Sequence, residues 1–200
     1  GKVILYTPTW RPYLYDFPLI NMQDFNINEF NSWLEKENTF FFYSLHNINF
    51  PKSIPLNLSR VIYINYSNNA LFDINLFMHE VDILINDYST TSTDFALSRK
   101  PQIFYMPDYD YYNNEKGFLD DYKALLPGKE VNTYNEFTIA IKEYLCHPEL
   151  YLNTSIKHLK SLTIKSNNKL LLDIINDIYK EGYRLIKDLS KKYNKKWEDK

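Results

Sequence analysis

Five apolar runs, each four to seven residues long, constrain this chain more than any other feature. They are KVILY (Lys2–Tyr6), TFFFYSL (Thr39–Leu45), VIYI (Val61–Ile64), DILIN (Asp82–Asn86) and QIFYM (Gln102–Met106). A strand with one wet face alternates apolar and polar residues, whereas a strand covered on both faces stays apolar along its length. Between the runs lie helix-like segments. Residues 28–38 place Phe30, Trp33 and Leu34 on one face. Asp73 suits the N-cap of a segment carrying Ile74, Phe77 and Met78. DYSTTSTD at Asp87–Asp94 favours a turn and a helix start, continued by Phe95 to Ser98 and ended near Pro101. Buried strands alternating with helices predict an α/β fold, a Rossmann-like parallel sheet.

Beyond Pro107 the chain reads as a polar, tyrosine-rich loop as far as Pro127-Gly128, and from Tyr134 onward as mostly helical. Leu170, Leu171, Ile174, Ile175 and Ile178 recur at helical spacing before the charged end KKYNKKWEDK. The expected organisation is a Rossmann-like domain over 1–165, followed by a helix and charged tail over 166–200. Two hundred residues suffice for one substantial core. A net charge of −2 gives no field favouring nucleic acid. The single cysteine, Cys146, cannot form an internal disulfide. No apolar run is long enough to span a bilayer, so a cytoplasmic chain is expected, with membrane association at most peripheral. Starting at Gly1 almost inside a strand suggests a piece of something longer.

In open parallel sheets, ligands bind beyond the carboxyl ends of the strands. Four segments follow predicted strands: Thr7–Arg11, His46–Asn49, Asp87–Asp94 and Asp108–Tyr112. The third is the most informative. A helix start offers unpaired N–H groups, and Ser89, Thr90, Thr91, Ser92 and Thr93 add hydroxyls, a combination that suits a diphosphate. The same residues also suit plain helix capping, and both readings stay open. Asp108-Tyr109-Asp110 is a D-x-D triplet of the kind that holds a divalent metal in some glycosyltransferases, but such triplets are common in acidic loops. No metal and no cofactor is expected. His79, His147 and His158 read as surface or helix-end positions.

These residues, taken in order, resemble the CDP-glycerol glycerophosphotransferase family of teichoic acid and capsule synthesis. The matching elements are ILYTPTWR, the Leu45-His46 pair, DYSTTSTDFA, Lys100-Pro101, Pro107-Asp108 with Tyr111 or Tyr112, Gly117-Phe118, and LLPGKEVNTYNEF at Leu125–Phe137. The resemblance covers roughly residues 3–146. It implies the C-terminal, CDP-binding half of a GT-B-like architecture. It further implies that His46 and the hydroxyls of Ser89 to Ser92 contact the diphosphate, that Thr9 and Arg11 lie at the cleft, and that Asp94 supports the loop or reaches the ribose. Asp87 and Asp108 fall within the same motifs and are further nucleotide-binding candidates, and His46 and Arg11 are the catalytic candidates. The sequence departs from the family pattern in having Asn47 after the histidine, Thr90 in the Asp-Tyr-Ser-Ser position, and Ser166 to Lys169 where an Asp-Gly is usual. The family's first-half His-Gly pair, implied to supply the base, does not occur here.

The resemblance therefore implies transfer of a polyol phosphate from a CDP-activated donor to a polymer or lipid-linked acceptor, with the missing N-terminal half completing the site. The rival readings are a GT-B enzyme using a CDP- or UDP-sugar and a non-catalytic nucleotide-binding module.

Overall fold

The computed structural model describes residues 1–11, 18–45, 58–64, 73–118, 121–152, 154 and 156–158. All five apolar runs form strands: β1 (Lys2–Tyr6), β2 (Thr39–Tyr43), β3 (Val61–Tyr63), β4 (Ile83–Asn86) and β5 (Gln102–Phe104). A sixth, β6 (Lys129–Glu130), follows Pro127-Gly128. Every pairing is parallel and the order is β3-β2-β1-β4-β5-β6. This is the doubly wound order, in which the chain reverses direction across the sheet between β1 and β4.

Alternation along the strands explains why both faces need cover. Ile4 and Tyr6 point with Ile83, Ile85, Phe41 and Tyr43 into one core. Leu5 and Leu84 point the other way, into a smaller core with Met78, Val81 and Phe95. The first core is closed by α1 (Ile27–Lys36), through Phe30 and Leu34, and by α5 (Tyr134–Cys146), through Phe137, Ala140, Ile141 and Tyr144. The second is closed by α2 (Ile74–Phe77) and α3 (Thr91–Ala96). Each large apolar side chain buried in this way contributes roughly 1.5–3 kcal/mol before chain entropy is subtracted.

The helix starts obey local chemistry. The Asn26 side chain accepts from the N–H groups of Asn28 and Glu29, and Asp73 accepts from that of Asn75. Thr133 and Glu136 form a reciprocal capping box at the start of α5. One segment differs from the sequence expectation. The stretch after Pro107, expected as a loop, contains the helix α4 (Tyr109–Lys116), ended by Gly117 at φ 71°. The chain divides into two units, Gly1–Ser161 and Leu162–Lys200. The expected C-terminal helix and tail lie outside the described residues.

Candidate functional site

The reversal between β1 and β4 opens a crevice at their carboxyl ends, and the cleft found there has a volume of about 670 Å³. Thr7 to Trp10, following β1, form one wall, and Tyr88 to Thr91, following β4, form the floor. Ser44 and Leu45 enter from the end of β2, Ile74 from α2, and Tyr112 and Lys116 from α4. The hydroxyl of Thr7 is buried with no hydrogen-bond partner among the described residues, which leaves a polar group on this wall without a described bond.

The floor is fixed by a buried ion network behind it. Arg11 donates from Nη1 to Asp87 Oδ2 at 2.6 Å and to the Thr9 carbonyl at 2.8 Å. Its Nε and Nη2 form a fork on the two oxygens of Asp108, with Nη2–Oδ1 at 2.9 Å. Asp87 also accepts from the Thr9 N–H at 2.9 Å and from the Thr9 hydroxyl at 2.6 Å, while Tyr88 donates to Asp108 at 3.0 Å. The loops after β1, β4 and β5 are thereby tied at one point. Burial alone would weaken protonation of Arg11, but the hydrogen bonds and charges of Asp108 and Asp87 outweigh it and hold the guanidinium charged.

An aromatic pad sits over this network. Tyr88 stacks on Tyr112 with centroids 4.1 Å apart, and Phe118 stacks on Tyr122 at 4.6 Å and on Tyr109 at 5.4 Å. The Arg11 guanidinium lies 5.0 Å from the Tyr88 ring centre, within cation–π range. Burial, reinforced by Asp108, pushes the Tyr88 hydroxyl far above its ordinary range, and burial does the same to Tyr122. Tyr122 donates to the Asp87 carbonyl at 2.6 Å.

The expected site residues that the structure describes divide into three groups. Thr9, Ser89, Thr90 and Thr91 line the cleft. The Ser89 and Thr91 hydroxyls are hydrogen-bonded at 2.9 Å, and Thr90 makes no side-chain cap bond. Arg11, Asp87 and Asp108 are brought together, but as the buried brace behind the floor: 6% or less of the Arg11 and Asp87 side chains is exposed. Ser92 is buried inside α3, its carbonyl accepting from Gln102, and Asp94 is exposed on α3; neither lines the cleft. His46 lies outside the described residues. Asp108 spends both oxygens on Arg11, and among the described residues no three His, Cys, Asp or Glu side chains gather as a metal site. Sequence reasoning gave no role to Tyr88 or Lys116, and Trp10, which follows β1 beside Thr9, could equally be read there as plain packing. The i, i+4 spacing of Tyr112 and Lys116 would have marked them once α4 was known to be a helix.

A parallel sheet in this order, with a hydroxyl-rich crevice at its switch point, defines a Rossmann-like α/β domain. The chain belongs to the CDP-Glycerol:Poly(glycerophosphate) glycerophosphotransferase family, which matches residues 1–168. It is 34% identical over 131 residues to the teichoic acid glycerol-phosphate primase of Bacillus subtilis, covering 64% of this chain and 32% of that protein. It is 27% identical over 176 residues to the teichoic acid ribitol-phosphate polymerase TarK of Staphylococcus aureus, covering 86% and 33%. The solved wall teichoic acid polymerase TagF shares the fold, with a TM-score of 0.66 at 22% identity over 90% of this chain and 44% of that one. The chain thus spans about a third of the length of these curated relatives. No described helix is long and apolar enough to cross a membrane.

Proposed function

We propose that this chain is the donor-binding portion of a glycerophosphotransferase-type enzyme, holding a CDP-activated polyol phosphate in the cleft between β1 and β4. The observation that carries the reading is the floor of that cleft, where Ser89, Thr90 and Thr91 present hydroxyls at a switch point in a chain of this family. Hydroxyl and backbone donors can hold a diphosphate by charge-assisted hydrogen bonds. In the reaction, an acceptor hydroxyl attacks the phosphorus that bears the polyol, a new P–O bond forms, and the bond to CMP breaks. The proton of the attacking hydroxyl passes to a base contributed by the part of such enzymes that this chain does not span. His46, which follows Leu45 in sequence, stabilises charge on the diphosphate and on departing CMP. Catalysis rests on positioning and on stabilising charge over the phosphate oxygens. The relatives act on both glycerol phosphate and ribitol phosphate, so the donor alcohol is to be set by experiment.

Calorimetry of the chain with CDP and CMP tests the reading, with CDP-glycerol, CDP-ribitol and UDP-sugars as the donor panel. CDP is expected to bind at least about tenfold more tightly than CMP, because the second phosphate meets the hydroxyl floor. His46→Ala is expected to weaken CDP by roughly 1.5–3 kcal/mol, as for a hydrogen bond to a charged group. Equal affinity for CDP and CMP overturns the proposal, and preference for a UDP-sugar redirects it to sugar transfer.

A further inference from the structure

We propose that Lys116 is a cation that reads the donor's diphosphate, an inference that rests on the donor-binding function above. The argument begins with charge. Arg11 would be the obvious partner for a diphosphate, but its guanidinium is forked onto Asp108 and bonded to Asp87 behind the cleft floor. One positive group faces two negative ones there, so the brace carries a net charge of −1 close to where an anion must sit. A diphosphate bound over that floor is repelled unless a cation stands on the cleft side. Among the described residues lining the cleft, Lys116 is the only charged one. No carboxylate among the described residues makes an ion pair with it.

Local structure aims Lys116 at this task. It occupies the last turn of α4, one turn beyond Tyr112, and residues four apart share a helix face. Tyr112 is pinned by its stack on Tyr88, which is itself hydrogen-bonded to Asp108. Gly117 then reverses the chain at φ 71°, a conformation glycine adopts without strain. That reversal returns Phe118 beneath Tyr109 and Tyr112, at ring distances of 5.4 and 5.7 Å. The lysine therefore projects from a helix end locked on both sides by aromatic contacts, while its own side chain stays exposed. A flexible four-carbon stem ending in a compact charge can follow a phosphate that a buried guanidinium cannot reach.

The test is calorimetric titration of CDP, CMP and cytidine into the wild-type chain and into the Lys116→Ala, Lys116→Gln and Lys116→Arg variants, with thermal melting of each. Lys116→Ala and Lys116→Gln are expected to weaken CDP roughly 10- to 100-fold and CMP less. Cytidine affinity and melting temperature should not change, and Lys116→Arg should recover most of the CDP affinity. The dependence of CDP affinity on salt should also become shallower in the alanine variant, because one screened attraction is gone. If wild type binds CDP and Lys116→Ala binds it equally well, the assignment is overturned. Equal losses for CDP and cytidine overturn it too, since the lysine would then not be reading phosphate. Failure of the wild-type chain to bind CDP at all sinks the donor-binding function itself, and the lysine's role with it.

Discussion

Removing Arg11 leaves two carboxylates, Asp87 and Asp108, at the cleft floor without their cation. Asp87 is 1% exposed and cannot turn to water for compensation. Breaking a buried pair by deleting one partner typically costs about 3–5 kcal/mol, mostly the penalty of the charge left behind. Arg11→Ala should therefore lower the urea midpoint strongly. Arg11→Lys should recover only part of the loss, because an ammonium keeps the charge but not the planar fork that spans Asp108. Near-normal stability of Arg11→Ala together with lost CDP affinity would instead place the guanidinium in the cleft. At this scale the sequence was informative about membership and less so about task. The motif residues Arg11, Asp87 and Asp108 stand out along the chain, but their ionic pairing joins positions 76 and 97 residues apart. Nothing local distinguishes an arginine that meets a ligand from one that braces the loops holding it.

β6 is two residues long, and its attachment depends on a close approach that only glycine permits. A Cβ placed on Gly128 would lie 2.0 Å from the Gln102 carbonyl oxygen and 2.7 Å from the Gln102 carbonyl carbon, both backbone atoms of β5. Neither can move without disturbing the Ile103–Lys129 and Phe104–Glu130 pairing. Gly128→Ala should thus cost about 1–3 kcal/mol, in the range of overpacked sites. The loss should show first as faster amide exchange at Val131, which donates to Phe104 at 2.9 Å. CDP affinity should change little, since β6 stands two strands from the switch point; unaltered exchange at Val131 would contradict this account. The strands were legible because burial on both faces leaves an apolar run that needs no alternation to be seen. α4 was not legible because YDYYNNEK carries no aliphatic stripe. Its anchors are tyrosine faces packed on Tyr88 and Phe118, contacts that helical periodicity in hydrophobicity does not register. Its stop signal was nonetheless present, as Lys116 in the last turn followed by Gly117.

The whole molecule uses tyrosine where many proteins use aliphatic residues, and that choice sets how it should respond to alkali. Tyr6, Tyr105 and Tyr144 sit in or against the core and are almost fully buried, while Tyr88 and Tyr122 build the pad over the ion network. Burial, the main cause in each case, pushes all five hydroxyls upward, those of Tyr105 and Tyr144 to about 12. In the unfolded chain the same groups ionise near the ordinary value of about 10. Below that value both states keep their protons and the contribution to stability is fully present. Above it the unfolded chain binds fewer protons than the folded one, so stability falls as pH rises and is lost through the folded pKa. The window is therefore about pH 10 to 12 for Tyr105 and Tyr144, and it extends higher for the more strongly shifted hydroxyls. Urea midpoints measured across this range should hold steady up to about pH 10 and then decline, with phenolate absorbance from the buried group appearing only as the protein unfolds. Because Tyr88 and Tyr122 are hydrogen-bonded to the groups that fix the cleft floor, CDP affinity should fail together with the fold. Tyrosines that all ionise near pH 10 in the still-folded protein, with an undiminished urea midpoint, would show that the pad is open to water and that the floor does not depend on it.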